Sequence, residues 1–130
     1  MNQLVFIPYI AKGHWILIVI DSSTLDVYWL DPLQKPPSMD IKIYITTGLK
    51  ALQTGGERRP NPTWHCVKCP NQAVEVHCGY TVLRYMRELM EEPSRPLAER
   101  VMQMSKKSSY LQDEIDEVRL ELMDYILTHM

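Results

Sequence analysis

The chain is expected to fold as one α+β domain, and three observations predict it. Short Val- and Ile-rich runs fill its first third, two amphipathic helical stripes fill its last third, and no internal repeat disturbs that order. With 130 residues and 45% apolar content, the chain can bury a single real core. The domain is expected to span 1–130, with 94–109 a polar connection of undetermined structure leading into a C-terminal helix at 110–127.

Leu4 to Ile10 and Trp15 to Ile20 are apolar stretches separated by Ala11-Lys12-Gly13, and they read as strands. The uninterrupted run Ile16-Leu17-Ile18-Val19-Ile20 predicts burial on both faces, as in the middle of a sheet. Asp21-Ser22-Ser23 is a turn, and Leu25 to Leu30 is a third strand that stops at Asp31-Pro32. Short connections between successive strands predict an antiparallel meander. Gln34 to Asp40, with Pro36-Pro37, is a loop, and Ile41, Ile45, Leu49 and Leu52 then recur at helical spacing. Thr54 to Pro62 reads as an exposed loop and Trp64 to Cys69 as a short strand closed by Pro70. From Gly79 on, Val82, Leu83, Met86, Leu89 and Met90 share one helical stripe, with Arg84 and Arg87 placed elsewhere. Pro93 and Pro96 end that helix. In the last helix Leu111, Ile115, Val118, Leu122, Tyr125 and Ile126 face one way, and Glu114, Glu117 and Glu121 are expected to face solvent.

Composition narrows the function classes. A net charge of −2 and a pI near 6.1 supply no basic field, so nucleic acid is not the expected partner. The longest apolar run, Trp15 to Ile20, is far short of the ~20 residues of a membrane span. The N-terminus lacks the basic start and small-residue cleavage site of a signal peptide. Three cysteines, an odd number, fit reduced thiols inside the cell, in nucleus or cytoplasm.

The polar groups that remain form a parts list for thiol chemistry. Cys78 precedes or opens the helix that begins near Gly79, where unpaired backbone N–H groups and the helix dipole favour a thiolate. A free thiol, with pKa ~8.5, is only a few per cent ionised at neutral pH, so such help matters. His14 starts one strand and Asp31 follows the end of the next. If those strands are antiparallel neighbours, base and carboxylate meet at one edge of the sheet. Gln72, six residues before Cys78, can donate its amide to a developing oxyanion beside the Cys78 backbone N–H. Each residue alone has a plainer reading: a buried cysteine, a turn histidine, an Asp-Pro turn former, a loop glutamine. The joint order is what favours the chemistry.

His14-Trp15 on an apolar strand, Tyr28-Trp29-Leu30-Asp31-Pro32-Leu33, Gln72 and Cys78-Gly79-Tyr80 together resemble the ubiquitin-like-protein (SUMO) cysteine protease family. The stretches CGYTVLRYM and EIDEVRLELMDYIL are most similar to its plant, transposon-associated branch. The resemblance implies a papain-like cysteine protease fold: a small central, mostly antiparallel sheet flanked by helices. It implies His14 as base, Asp31 as orienter, Gln72 as oxyanion donor and Cys78 as nucleophile, with Trp15 roofing a tunnel for a Gly-Gly tail. It implies a peptidase that processes or deconjugates a SUMO-type modifier, with that modifier or its conjugates as partner and with no metal or organic cofactor. Two departures stand out. His77 occupies the place where the family has Asp before the nucleophile, and Met1 falls just before the His-bearing strand. The domain is therefore expected to be partial, its N-terminal helices and a second tunnel tryptophan missing.

Three other readings compete. A truncated, inactive remnant would act at most as a binding module for a ubiquitin-like protein. A small zinc-binding interaction domain would use His65, Cys66, Cys69, His77 and Cys78, since Cys66-x-x-Cys69 has ligand spacing. Residues three apart on a strand point to opposite faces, however, and zinc would consume Cys78 and leave His14, Asp31 and Gln72 without a role. The terminal stripe could also form a dimer seam, but it is short for a coiled coil. A monomer is expected, with self-association through any uncovered apolar surface.

Overall fold

The structure, a computed structural model, describes residues 4–11, 13–51, 61–71 and 78–129. Four strands, β1 (Leu4–Ala11), β2 (His14–Asp21), β3 (Asp26–Leu30) and β4 (Thr63–Cys66), make one sheet in the order β1-β2-β3-β4. The helices are α1 (Met39–Ala51), α2 (Cys78–Met90), α3 (Leu97–Ser105) and α4 (Gln112–Thr128). The α+β class expected from the order of apolar patterns is the class observed.

β1, β2 and β3 form the antiparallel meander, in registers that run from Leu4 opposite Asp21 and from Leu17 opposite Leu30. β4 lies parallel to β3, because α1 carries the chain back across the sheet between them. The β2–β3 turn is tied by the Asp21 carboxylate, which accepts from Ser23 N–H at 3.0 Å and from its hydroxyl at 2.7 Å.

Alternation along β2 sorts its side chains between two layers. Leu17 and Val19 face α2, α3 and α4, packing with Val82, Tyr85 and Leu89. Ile16, Ile18 and Ile20 face α1, whose Ile41, Ile45 and Leu49 cover them only partly. All five residues from Ile16 to Ile20 are at most 5% exposed, the two-sided burial that their continuous run predicts. Each such side chain stabilises the fold by roughly 1.5–3 kcal/mol.

Several details differ from the sequence reading. The stretch 94–109 contains α3, anchored by the buried Leu97, Val101 and Met104 at helical spacing. On α2 the buried face is centred on Val82, Tyr85 and Leu89, while Met90 is 52% exposed. Arg84, placed off the apolar stripe, is nonetheless buried between α2 and α4, with its guanidinium 2.9 Å from Glu117 and 3.6 Å from Glu114. Those two glutamates, expected to face water, point at α2 because its arginines pair with them. In α4 only Ile115 and Val118 of the predicted stripe are buried, and Tyr125 and Ile126 are exposed. The β4 ladder also ends at Cys66, short of Cys69, since the chain turns away to bury Cys69 and Pro70.

Candidate active site

The site is built where β2 begins and β3 ends. Gly13, at φ +83°, makes the tight entry to β2, a conformation that costs a residue with a Cβ about 1 kcal/mol or more. His14 follows at once. Because β2 and β3 are antiparallel, the start of one and the end of the other share an edge. There His14 Nε2 lies 3.2 Å from Asp31 Oδ2.

Asp31 is held from several sides. Its Oδ1 accepts the Leu33 N–H at 2.8 Å, and its main-chain carbonyl accepts the Gln34 N–H at 2.8 Å, closing the Asp31–Gln34 turn. Trp29 Nε1 donates to Lys35 O at 2.8 Å and fastens the following loop under the sheet. The Asp31 side chain is 3% exposed and that of His14 16%, so the pair is sheltered yet reachable from the histidine side. With Nε2 donating to the carboxylate, the ring's other nitrogen, Nδ1, is the one left to accept a proton.

The N-terminus of α2 comes to the same end. A Cβ built on Gly79 would lie 3.3 Å from Trp15 Cδ1 and 3.6 Å from Nε1, so the indole rests on the first turn of this helix. Cys78 is the first residue of α2. The structure therefore brings His14, Trp15, Asp31 and the start of α2 together. Gln72 and His77 lie outside the described residues.

Of the residues named in the zinc reading, His65, Cys66 and Cys69 are described in full, and each has other surroundings. Cys66 is exposed, while Cys69 is buried with its Sγ donating to Asp31 O at 3.3 Å. Among the described residues no three His, Cys, Asp or Glu side chains gather as a metal site would require. His65 instead bonds Asp26 at 2.9 Å and stacks on Tyr28 with ring centroids 4.7 Å apart. That hydrogen bond holds the Asp26 carboxyl below its ordinary pKa. This second His–Asp pair is far more open to water than the first, at 41% and 29% exposure.

Sequence reasoning missed Gln34 and Tyr85 and misread Cys69. Gln34 Nε2 donates to Cys69 O at 2.5 Å, and the Tyr85 hydroxyl donates to Pro70 O. Their acceptors are main-chain carbonyls, which leave no pairwise pattern in a sequence.

The chain matches the family described as the Ulp1 protease family, C-terminal catalytic domain, over residues 2–120. No curated protein matches it. Among solved structures it is similar to the C-terminal Ulp1 protease domain in complex with SMT3, the yeast ortholog of SUMO. Identity there is 25% and the TM-score 0.48, over 79% of this chain and 48% of that one. The chain thus spans about half the length of that structure. The family match takes in all four strands and the first three helices, and the chain belongs to the Ulp1 family of cysteine proteases.

Proposed function

We propose that the chain is a thiol peptidase or isopeptidase that cleaves after the C-terminal Gly-Gly of a SUMO-type modifier. One observation carries the reading: a sheltered His14–Asp31 pair shares one end of the sheet with the Trp15 indole and the first turn of α2, the helix that Cys78 opens.

In this reaction His14 Nδ1 takes the proton of the Cys78 thiol while Nε2 donates to Asp31, which fixes the ring and stabilises the imidazolium. The sulfur attacks the carbonyl carbon of the terminal glycine and forms a C–S bond. The oxyanion accepts hydrogen bonds from the Gln72 amide and from backbone N–H groups at the start of α2. Collapse breaks the C–N bond, and the imidazolium gives its proton to the departing amine. Water, deprotonated by His14, then splits the thioester, releasing the modifier's carboxylate and restoring the thiol. Trp15 roofs the path of the tail. Glycine suits that path because a backbone without Cβ can pass beneath an indole.

The test is covalent labelling of the purified chain by a SUMO probe bearing a C-terminal electrophile, with Cys78→Ala and His14→Ala as controls. A SUMO-sized mass increase that both variants abolish is the expected result. A folded wild-type chain that takes up no probe would overturn the proposal.

A further inference from the structure

Cys69, Gln34 and Tyr85 bind main-chain carbonyls of stretches far apart in sequence. Cys69 is 2% exposed, and its Sγ donates to Asp31 O, 38 residues away. The Cys69 carbonyl accepts from Gln34 Nε2, and the next carbonyl, that of Pro70, accepts from Tyr85 on α2. Three pieces of chain thus meet at one buried point: the Asp31–Gln34 turn, residues 69–70, and the middle of α2.

Each piece carries a group that the proposed reaction uses. Asp31 heads the turn. Gln72 follows Pro70 by two residues in the sequence. Cys78 precedes Tyr85 by seven residues on a single helix, ~10 Å along a rigid axis. A buried polar group must find a partner somewhere. A well-packed core needs no polar side chains at all, however, and Cys69 and Tyr85 inside it, with Gln34 at its exposed edge, all tie the stretches that lead into the site. Burial pushes the Cys69 thiol pKa up, which keeps it a neutral donor at physiological pH.

We infer that Gln34, Cys69 and Tyr85 form a clamp that sets the spacing between the Asp31 turn, the segment entering Gln72 and the helix of Cys78. They are positioning residues, and the inference rests on the proposed thiol mechanism. Displacing a reacting group by ~1 Å can cost on the order of 100-fold in rate, so releasing one tie is expected to cost ~10- to 100-fold.

The test measures the rate of Cys78 alkylation by chloroacetamide against pH, read by mass spectrometry, in a Cys66→Ser background that removes the exposed thiol. Gln34→Ala is the safest variant, because Gln34 is exposed and its loss spares the core. Tyr85→Phe and Cys69→Ala join it, with Cys69→Ser as a conservative rescue that keeps a donor. Each is also combined with Asp31→Asn. In folded protein the ties are expected to act through Asp31 and the helix. Gln34→Ala and Tyr85→Phe should slow alkylation at pH 7 by at least 10-fold and move its midpoint up toward that of a free thiol. Cys69→Ser should recover what Cys69→Ala loses; Gln34→Ala and Cys69→Ala should not add to the loss in Asp31→Asn, and Tyr85→Phe, which frees the helix, should add only in part. Variants that melt earlier but keep the wild-type pH profile, or that add fully to Asp31→Asn, would show packing alone and overturn the clamp. A wild-type Cys78 with a free-thiol profile would overturn the thiol mechanism and the clamp together. A displaced wild-type profile that responds to His14→Ala but not to the clamp variants would overturn the clamp only.

Discussion

Replacing Gly79 by alanine should separate stability from activity. The new Cβ would sit 3.3 Å from Trp15 Cδ1, a few tenths of an ångström inside comfortable contact. Trp15 is 37% exposed, so the indole can yield outward rather than jam. The lost or strained contacts cost a few tenths of a kcal/mol at ~0.1–0.2 kcal/mol per atom pair. Against that, alanine in a helix is favoured over glycine by roughly 0.5–1 kcal/mol. The net is neutral to slightly stabilising, a melting temperature unchanged or raised by about 2–4 °C. Activity should move the other way, because the residue displaced is the proposed roof over the substrate tail. Gly79→Ala should slow labelling by the SUMO probe several-fold and Gly79→Val by on the order of 100-fold, since a displacement near 1 Å is that costly. Alkylation of Cys78 by a small reagent, which needs no tunnel, should change less than twofold. The assay is a thermal melt beside both labelling rates. A fall of more than ~5 °C in Gly79→Ala, or equal slowing of both reagents, would refute the reasoning.

Other substitutions probe the neighbouring parts. Asp31→Asn keeps an acceptor for the Leu33 N–H but turns an amide donor toward His14 Nε2, forcing the ring proton onto Nδ1. Probe labelling should fall by ~10²–10⁴-fold with little change in melting temperature. Arg84→Ala leaves Lys107 as the one remaining cation beside the half-buried Glu88 and Glu114 and should cost ~1–2 kcal/mol in urea denaturation. The more exposed Arg87→Ala should cost under ~1 kcal/mol in the same titration. Asp26 has a folded pKa below its ordinary 3.8, chiefly through the His65 hydrogen bond. Its contribution is therefore complete above that ordinary value and is lost as pH falls through the lower folded one. Asp26→Asn should remove that part of the acid limb, less than about 1 kcal/mol for so open a pair, in melts taken between pH 2 and pH 5.

Much of the sheet was legible because strands report their surroundings directly. Ile16 to Ile20 lack a polar face, and no solvent-facing strand tolerates that. The end of β3 at Asp31-Pro32 is legible for a local reason: the Asp side chain caps its own turn. The direction of β4 was not legible. It depends on where α1 returns the chain, and α1 buries no residue fully. α3 escaped notice because three anchors over nine residues are a weak periodic signal beside Glu99 and Arg100. The α2 stripe read from the sequence omits Tyr85 and sets Arg84 apart, because their partners lie on other elements and leave no local sign. In place, Tyr85 is fully buried and Arg84 is neutralised by carboxylates from another helix.

The candidate site divides along the same line. His14 and Asp31 could be paired from sequence because an antiparallel register links a strand's start to its neighbour's end. Trp15 against Gly79 could not, since that contact needs α2 docked on β2 through Leu17, Val82 and Tyr85, three residues with no chemistry of their own at the site. Core packing is therefore part of the geometry of the candidate site. A helix whose inner face holds the sheet also sets its own first turn against the histidine strand. Shortening Val82 to alanine should then do more than the ~1–2.5 kcal/mol expected of a small buried cavity. It should loosen the seat of α2 and slow the SUMO probe more than an equally destabilising cut at Val118, which is buried on α4. Equal slowing at matched stability would mean that α2 finds its place without the core, and that the helix and the sheet edge are independent parts.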